Sequence, residues 1–215
     1  MGSTRLPGKV LKPIAARPLL AHVVGRLEML QHPHRIVVAT SELAADNAIA
    51  AWCRQENVTC FRGSEQDVLA RYDGSAQAFG LDPIIRLTAD NPFTDMEELD
   101  RLIALHQAQG NDFSHSFAAL PIGVGAEIFS RAALARSAQD GHAPHHREHV
   151  DEYMIENPQL FRTGALTVEG AKNRPDVRLT VDTEEDYRRA CFIAEQAKGK
   201  WATTEEAIAL CSRFV

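Results

Sequence analysis

The first half of the chain alternates between apolar residues at helical spacing and short β-branched runs. A helix is predicted over 18–31, where leucines and valines share one face, and the continuous run Arg35–Thr40 is typical of a buried parallel strand. Further strands are predicted at 58–61 and 83–88, and further helices at 42–55, 67–79 and 96–109. Strands that alternate with helices in this way predict right-handed crossovers and a Rossmann-like, doubly wound α/β fold with a mostly parallel sheet.

The second half of the chain has a less regular pattern. Strands are predicted at 113–117, 125–129, 161–168 and 177–181, and helices at 144–157, 184–198 and 204–214. No low-complexity linker divides the sequence. We therefore predict one domain over 1–215, with a less regular region around 112–170.

Composition restricts the range of partners. The formal net charge is −6 and there is no lysine- and arginine-rich run, so no nucleic-acid partner is expected. The four cysteines form no C-x-x-C pair, which is typical of reduced cysteines in a cytoplasmic protein. No apolar stretch reaches membrane-spanning length and no signal-peptide pattern follows Met1, so we expect a cytoplasmic protein without a membrane partner.

The segment 1–9 carries the first candidate chemistry. Gly2 and Gly8 permit tight turns that bring backbone N–H groups to an anion, and Arg5 and Lys9 add two cations. This composition predicts a triphosphate-binding loop. It is not the P-loop of the ATPases, because five residues separate the glycines where that motif has four, and Val10 replaces the Ser or Thr that binds magnesium.

A short phrase that ends in an aspartate occurs twice, at Arg86–Asp90 and at Arg178–Asp182. Each phrase is a predicted strand, so both carboxylates are expected at one edge of the sheet, where they could share a Mg²⁺ ion. The alternative is that each aspartate only caps the helix that follows it.

Several motifs together resemble the cytidylyltransferase family, in particular the spore coat polysaccharide biosynthesis proteins related to the CMP-KDO and CMP-sialic acid synthetases. The motifs lie at 2–9, 38–41, 62–72, 86–92, 147–150 and 178–186. The resemblance implies the nucleotide-diphospho-sugar transferase type of fold and transfer of CMP from CTP to an acidic sugar for surface polysaccharide biosynthesis, with pyrophosphate released. It also implies Mg²⁺ as cofactor and a homodimer.

The resemblance assigns roles to individual residues. It implies catalytic roles for Lys9, Arg5, Asp90 and Asp182, of which the two aspartates hold the metal. The nucleotide-binding residues that it implies are Gly2, Ser3, Thr4, Arg5, Gly8, Lys9 and Arg62.

The sugar side of the site is less specific. Glu127 follows a glycine-rich approach and could reach sugar hydroxyls, and Arg147 and His149 could bind a sugar carboxylate. The alternatives are a plain turn before Glu127 and an exposed, histidine-rich helix start around Arg147. The 112–170 region is expected to form this side of the site and the dimer contact.

One departure from the family pattern concerns the first strand. Family members enter the phosphate loop from a central apolar strand, whereas here Met1 stands where the loop begins. We therefore expect a sheet without its usual first strand, and either a natural start upstream of Met1 or another segment that fills the gap.

Three other functions are compatible with parts of the sequence. His145, Glu148 and His149 match the inverted zinc-peptidase pattern H-x-x-E-H, although a peptidase would need neither the phosphate loop nor the repeated aspartates. A glycosyltransferase that uses a sugar nucleotide could also employ paired aspartates and a metal. A non-catalytic nucleotide-binding relative is the third alternative.

Overall fold

A computed structural model describes residues 1–214 of the chain. Its α-helices are Leu19–Arg26 (α1), Asn47–Gln55 (α2), Val68–Phe79 (α3), Met96–Gln109 (α4), Arg131–Asp140 (α5), Pro144–Glu148 (α6), Glu152–Glu156 (α7), Glu184–Gln196 (α8) and Thr204–Cys211 (α9). Short 3₁₀ turns lie at Lys9–Leu11, Leu27–Met29, Ala44–Asp46 and Gly170–Lys172. Within residues 1–214, no helix has both the length and the apolar composition that crossing a membrane requires.

The strands form three separate groups. They are Pro13–Ile14 (β1), Arg17–Pro18 (β2), Val37–Ser41 (β3), Thr59–Gly63 (β4), Ile84–Arg86 (β5), Phe113–His115 (β6), Glu127–Phe129 (β7) and Thr163–Ala165 (β8). β1 and β2 form a small hairpin, β3 pairs with β4 in parallel, and the third group has the order β5-β7-β6-β8. In that third group β7 runs antiparallel to β5 and β6, while β6 and β8 are parallel.

Helices cover both faces of the four-stranded sheet. Ile128 and Phe129 are neighbours on β7 and therefore point to opposite faces. Ile128 belongs to the largest apolar cluster, which includes Leu102 of α4 and Ile193 of α8. Phe129 belongs to a second cluster on the other face, with contributions from α3, α5 and α7. The layered α/β architecture expected from the alternating pattern is therefore confirmed.

Two of the predictions for the second half of the chain are wrong in detail. The helix predicted over 144–157 is broken into α6 and α7, because His149 adopts an extended conformation with φ −110° and ψ 113°. The strand predicted over 177–181 is reduced to one isolated bridge between Ile122 and Arg178. Its backbone partner changes from Ile122 to Asp90 within a few residues, so no continuous ladder forms. α5 was not predicted at all.

A cleft separates β3 from β5. The two strands lie in different sheets, and a cavity of about 770 Å³ between them is lined by Val37–Ala39 and by Ile84–Ala89. Among residues 1–214, no strand pairs with the edges of β3 and β5 that face this cavity. The gap lies where the central strand was expected to be missing.

The amino terminus lies at one end of this cleft. The amino group of Met1 pairs with Asp46, whose other carboxylate oxygen accepts hydrogen bonds from Thr40 and Ser41 at the carboxyl end of β3. The Met1 side chain packs in the same apolar cluster as Val38. A segment joined to Met1 would therefore reach the cleft at the carboxyl ends of its two strands.

We expect a strand-forming segment fused ahead of Met1 to stabilise the protein. A segment of about five β-branched apolar residues should raise the free energy of unfolding by about 2 kcal/mol, because burial of its side chains exceeds the entropy lost on ordering it. Urea denaturation measures the change. The control is a Gly/Ser segment of equal length, which also removes the free amino group from Asp46; equal stability of the two fusions would contradict the prediction.

Candidate active site

The amino-terminal loop is anchored at its centre and open at its rim. The Leu6 side chain is buried in the main apolar cluster, and its N–H donates to Ser3 Oγ at 3.2 Å. Gly8 has φ +69°, a left-handed conformation that favours glycine, and it leads directly into the 3₁₀ turn that begins at Lys9. Gly2, Thr4 and Arg5 of the same loop are exposed. The loop thus holds Lys9 in place while leaving its outer surface free for a ligand.

Asp90 and Asp182 lie side by side, as the repeated phrase predicted, although β5 ends at Arg86 and 177–181 forms no strand. The N–H of Val181 donates to the carbonyl oxygen of Asp90 at 2.9 Å, which joins the two segments. Lys9 Nζ donates to Asp90 Oδ2 at 2.9 Å, to Asp182 Oδ1 at 3.0 Å and to the Val181 carbonyl oxygen at 2.8 Å. Lys9 of the amino-terminal loop and both carboxylates therefore form one cluster.

Cations surround the carboxylate of Asp182. Oδ1 accepts from Lys9 and lies 3.4 Å from Arg5 Nη2, while Oδ2 pairs with Arg178. Partial burial disfavours the charged form of Asp182, but the hydrogen bond and charge of Lys9, followed by those of Arg178, exceed this effect and lower its pKa. Asp182 is therefore ionised at neutral pH.

Asp186 fixes the backbone on which Asp182 stands. Its Oδ2 accepts the N–H groups of Asp182 at 3.1 Å and of Thr183 at 3.0 Å, and it also accepts the Thr183 hydroxyl. Its Oδ1 pairs with Arg189 and lies 3.5 Å from Arg178 Nε. Thr183 in turn caps α8 through the N–H of Asp186. The start of α8 thus positions the carboxylate of Asp182.

The donor set of this cluster fits a hard divalent cation. Two carboxylates and one carbonyl oxygen converge on a single point, and oxygen ligands of this kind suit Mg²⁺ or Mn²⁺. The structure shows that Asp90 and Asp182 are close enough to act on one ion. Their role as metal ligands remains a prediction.

Two arginines with predicted ligand roles make contacts within the protein. Arg62 donates to the Ser41 and Leu43 carbonyl oxygens at 2.9 and 2.8 Å and to Asn47 Oδ1 at 2.7 Å, so it holds the loop after β3. Arg147 donates from Nε and Nη2 to Asp67 Oδ2 at 2.9 and 2.6 Å. A substrate would therefore have to compete with these partners for either guanidinium.

Arg147 is further committed through Nη1, which donates to the carbonyl oxygens of Ala138 and Gly141. The guanidinium thereby connects α5 and the start of α3. Binding of a sugar carboxylate by Arg147 stays a prediction, as does binding of the nucleotide by Arg62.

A polar row crosses one face of the four-stranded sheet. Arg86, Glu127 and His115 are register partners on β5, β7 and β6, and Arg86 Nη1 donates to Glu127 Oε2 at 2.8 Å. Burial raises the pKa of Glu127, although the charge of Arg86 opposes the rise. Burial also lowers the pKa of His115, which is therefore neutral at pH 7. Arg86 Nε and His115 Nδ1 are buried without a hydrogen-bond partner among the described residues.

The histidine-rich stretch does not have the geometry of an inverted zinc peptidase. His149 caps the end of α6, where its N–H still donates to the His145 carbonyl oxygen at 2.8 Å, but its backbone is extended. Among residues 1–214, the side chains close enough to share a metal ion are those of His145, His146 and Glu156, and this group includes neither Glu148 nor His149. His145 and His146 instead both contact Glu156, at 2.8 and 2.7 Å. His146 Nδ1 accepts the Ala143 N–H, so a neutral His146 carries its proton on Nε2 and donates it to Glu156. This tautomer offers no lone pair to a metal at that nitrogen. His149 itself is exposed.

Sequence reasoning missed three contributors to the site. Arg178 and Asp186 both support Asp182, and the Val181 carbonyl oxygen completes the environment of Lys9. The i to i+4 spacing of Arg178 and Asp182 and the Thr-x-x-Asp helix start at Thr183 were visible signals. The carbonyl oxygen had none, because its direction depends on the tertiary path of the chain.

Replacement of Asp186 should destabilise the protein in a pH-dependent way. Burial opposes ionisation, yet the N–H of Asp182 and the Thr183 hydroxyl outweigh it and keep the pKa below the ordinary 3.8. The ionised carboxylate therefore stabilises the fold above about pH 4, and this contribution is lost as the pH falls through the pKa of the folded state. Asp186→Asn should lower the free energy of unfolding by about 2 kcal/mol at pH 7 and by less near pH 3.

Urea denaturation at the two pH values measures this difference. Asp176→Asn is the matched control, because Asp176 is exposed and pairs only with Arg174; we expect it to leave stability unchanged. A deficit of Asp186→Asn that is the same at both pH values would show that the carboxylate charge is not the cause.

Known proteins resemble this chain in both sequence and fold. The family model described as cytidylyltransferase matches residues 1–210. The spore coat polysaccharide biosynthesis protein SpsF of Bacillus subtilis (strain 168) is 38% identical over 202 residues, which is 92% of this chain and 84% of the relative.

Solved structures agree with this match. A cytidylyltransferase from Leptospira borgpetersenii serovar Hardjo-bovis superposes with a TM-score of 0.91 at 30% identity, covering 99% of this chain and 90% of the other. A CMP:2-keto-3-deoxy-manno-octonic acid synthetase complexed with CTP has the same fold, with a TM-score of 0.67 at 16% identity and coverage of 91% and 95%. On this evidence the chain belongs to the cytidylyltransferase family of nucleotidyltransferase enzymes.

Proposed function

We propose that this enzyme transfers CMP from CTP to a hydroxyl of an acidic sugar and releases pyrophosphate, as a step in surface polysaccharide biosynthesis. The observation that carries the proposal is the meeting of Lys9, Asp90 and Asp182 below an exposed, glycine-bounded loop. The family supports the use of CTP, and the name of the Bacillus relative supports the polysaccharide role.

The residues of the chain would act by positioning and by charge. The sugar hydroxyl oxygen forms a bond to the α-phosphorus of CTP, and the bond from that phosphorus to the bridging oxygen of pyrophosphate breaks. The hydroxyl proton is released to water. Lys9 and Arg5 would bind the β- and γ-phosphates and neutralise the charge that develops on the leaving group. Loop N–H groups between Gly2 and Gly8 would add hydrogen bonds to the same oxygens.

Asp90 and Asp182 would hold Mg²⁺ at the α-phosphate. When bound, the ion supplies charge neutralisation and aligns the nucleotide with the sugar. Asp182 is ionised at neutral pH, as a metal ligand must be, because Lys9 and Arg178 lower its pKa.

The sugar is proposed to lie toward the polar row of Arg86, Glu127 and His115. Glu127 can accept hydrogen bonds from sugar hydroxyls, and the unpartnered Arg86 Nε and His115 Nδ1 lie in the same row. Binding of the sugar carboxylate by Arg147 and His149 would require release of Arg147 from Asp67.

The region around 112–170 is proposed to form a homodimer contact. Phe117 and Ile122 in this region expose 42% and 49% of their surface, and a dimer contact that covered them would bury apolar area. We also propose a cytoplasmic location, consistent with four cysteines that form no disulfide among residues 1–214.

Removal of the carboxylate of Asp90 or of Asp182 should abolish CMP transfer and leave the fold intact. Asp90→Asn and Asp182→Asn are each expected to reduce pyrophosphate release by at least about 10³-fold, because the metal and the leaving-group cations lose a shared anionic partner. The assay measures pyrophosphate release from CTP and Mg²⁺ with a panel of keto-deoxy sugar acids. Circular dichroism confirms that each variant is folded.

Asp176→Asn, which changes an exposed aspartate outside the cluster, is the control and should retain full activity. Full activity of Asp182→Asn would remove Asp182 from the mechanism. A parallel assay with UDP- and CMP-sugars as donors separates the glycosyltransferase alternative, and turnover of these donors without turnover of CTP would contradict the proposal.

A further inference from the structure

The ammonium group of Lys9 has three oxygen partners. Asp90 Oδ2, Asp182 Oδ1 and the Val181 carbonyl oxygen lie 2.9, 3.0 and 2.8 Å from Nζ. An ammonium group has three N–H donors, so each can be matched by one acceptor. The side chain is only 12% exposed. Lys9 therefore sits at the centre of the oxygen cluster rather than at its edge.

These three oxygens are also the hard donors that a divalent cation would select. We infer that the Lys9 ammonium group occupies the place of the divalent cation in the nucleotide-free enzyme, and that free metal binds weakly until Lys9 moves away. This inference rests on the proposed function, in which a triphosphate supplies the new partner of Lys9.

The local charges explain why free metal would be disfavoured. Asp90, Asp182 and the adjoining Asp186 carry three negative charges, and the four cations within salt-bridge distance of them are Lys9, Arg5, Arg178 and Arg189. A free divalent cation would therefore enter a cluster that already has a net positive charge. A bound triphosphate reverses this balance and offers oxygens to Lys9 and Arg5.

The surroundings of Lys9 allow it to change partners. The four-carbon side chain of Lys9 is flexible. Lys9 follows Gly8 directly and ends a loop whose outer residues are exposed. Arg5 is 64% exposed and lies 3.4 Å from Asp182, so it too can turn toward a ligand. Binding of nucleotide and of metal should then be coupled, and each should raise the affinity for the other by the same factor.

The test measures Mn²⁺ binding by electron paramagnetic resonance with the purified protein of residues 1–215 and no nucleotide. Lys9→Ala should bind Mn²⁺ at least tenfold more tightly than the wild-type protein, because both the competing charge and the obstruction are gone. Lys12→Ala is the matched control: Lys12 ends the 3₁₀ turn that begins at Lys9 and pairs with Glu184, so its removal should leave Mn²⁺ affinity at the wild-type value.

Two further variants keep the result interpretable. Lys9→Gln retains a long side chain and a hydrogen-bond donor, so it should fold if Lys9→Ala does not, and it should also gain Mn²⁺ affinity because the competing charge is gone. Addition of Asp90→Asn to either Lys9 variant should remove the gain, which places the ion at this cluster. Mn²⁺ affinity of the folded Lys9 variants equal to that of the wild type would overturn the inference.

A second titration with CTP distinguishes this inference from the proposed function. CTP should raise the Mn²⁺ affinity of the wild-type protein much more than that of the Lys9 variants. If CTP raises wild-type affinity while the Lys9 variants gain nothing without CTP, the inference fails and the proposed function stands. If the Lys9 variants gain affinity but CTP has no effect on any protein, Lys9 obstructs the cation as inferred and the proposed use of CTP fails.

Discussion

The whole site depends on the bonding of one lysine to two carboxylates that are 92 residues apart in sequence, at positions 90 and 182. Two aspartates this close repel each other, and the Lys9 ammonium group removes that repulsion without a metal. Lys9 also connects the amino-terminal loop to the far end of the chain. Through these bonds, and with Arg5 also beside Asp182, the expected phosphate-binding loop and the expected cation site become one surface.

The fold supports this contact from several directions. Leu6 anchors the loop in the main apolar cluster, and the backbone hydrogen bond from Val181 to Asp90 aligns the two aspartate segments. Asp186 then fixes the turn into α8. The rigid parts lie beneath the loop, whereas its exposed rim remains available to a ligand. This division suits an enzyme in which positioning and charge neutralisation supply most of the catalysis.

Much of this arrangement was predictable because it follows from local patterns. Helical periodicity predicted the bounds of α4 as they are observed, and β-branched runs predicted the positions of β3 and β5 to within a few residues. The repeated Arg-Leu-Thr-x-Asp phrase predicted two adjacent carboxylates on the expectation that each ends a strand. The carboxylates are adjacent, but a backbone hydrogen bond from Val181 to Asp90 joins their segments, since neither aspartate ends a strand. The break at His149, the irregular path of 177–181 and the contacts of Arg62 and Arg147 depend on tertiary partners, which a single sequence does not specify.

The most direct measurement is a crystal structure of the protein with CTP and Mn²⁺, using the anomalous signal of manganese to locate the ion. We expect one strong anomalous peak within coordination distance of both Asp90 and Asp182, with the Lys9 ammonium group moved onto the triphosphate. A peak at another cluster such as His145 and Glu156, or CTP bound away from the loop at 2–9, would contradict it.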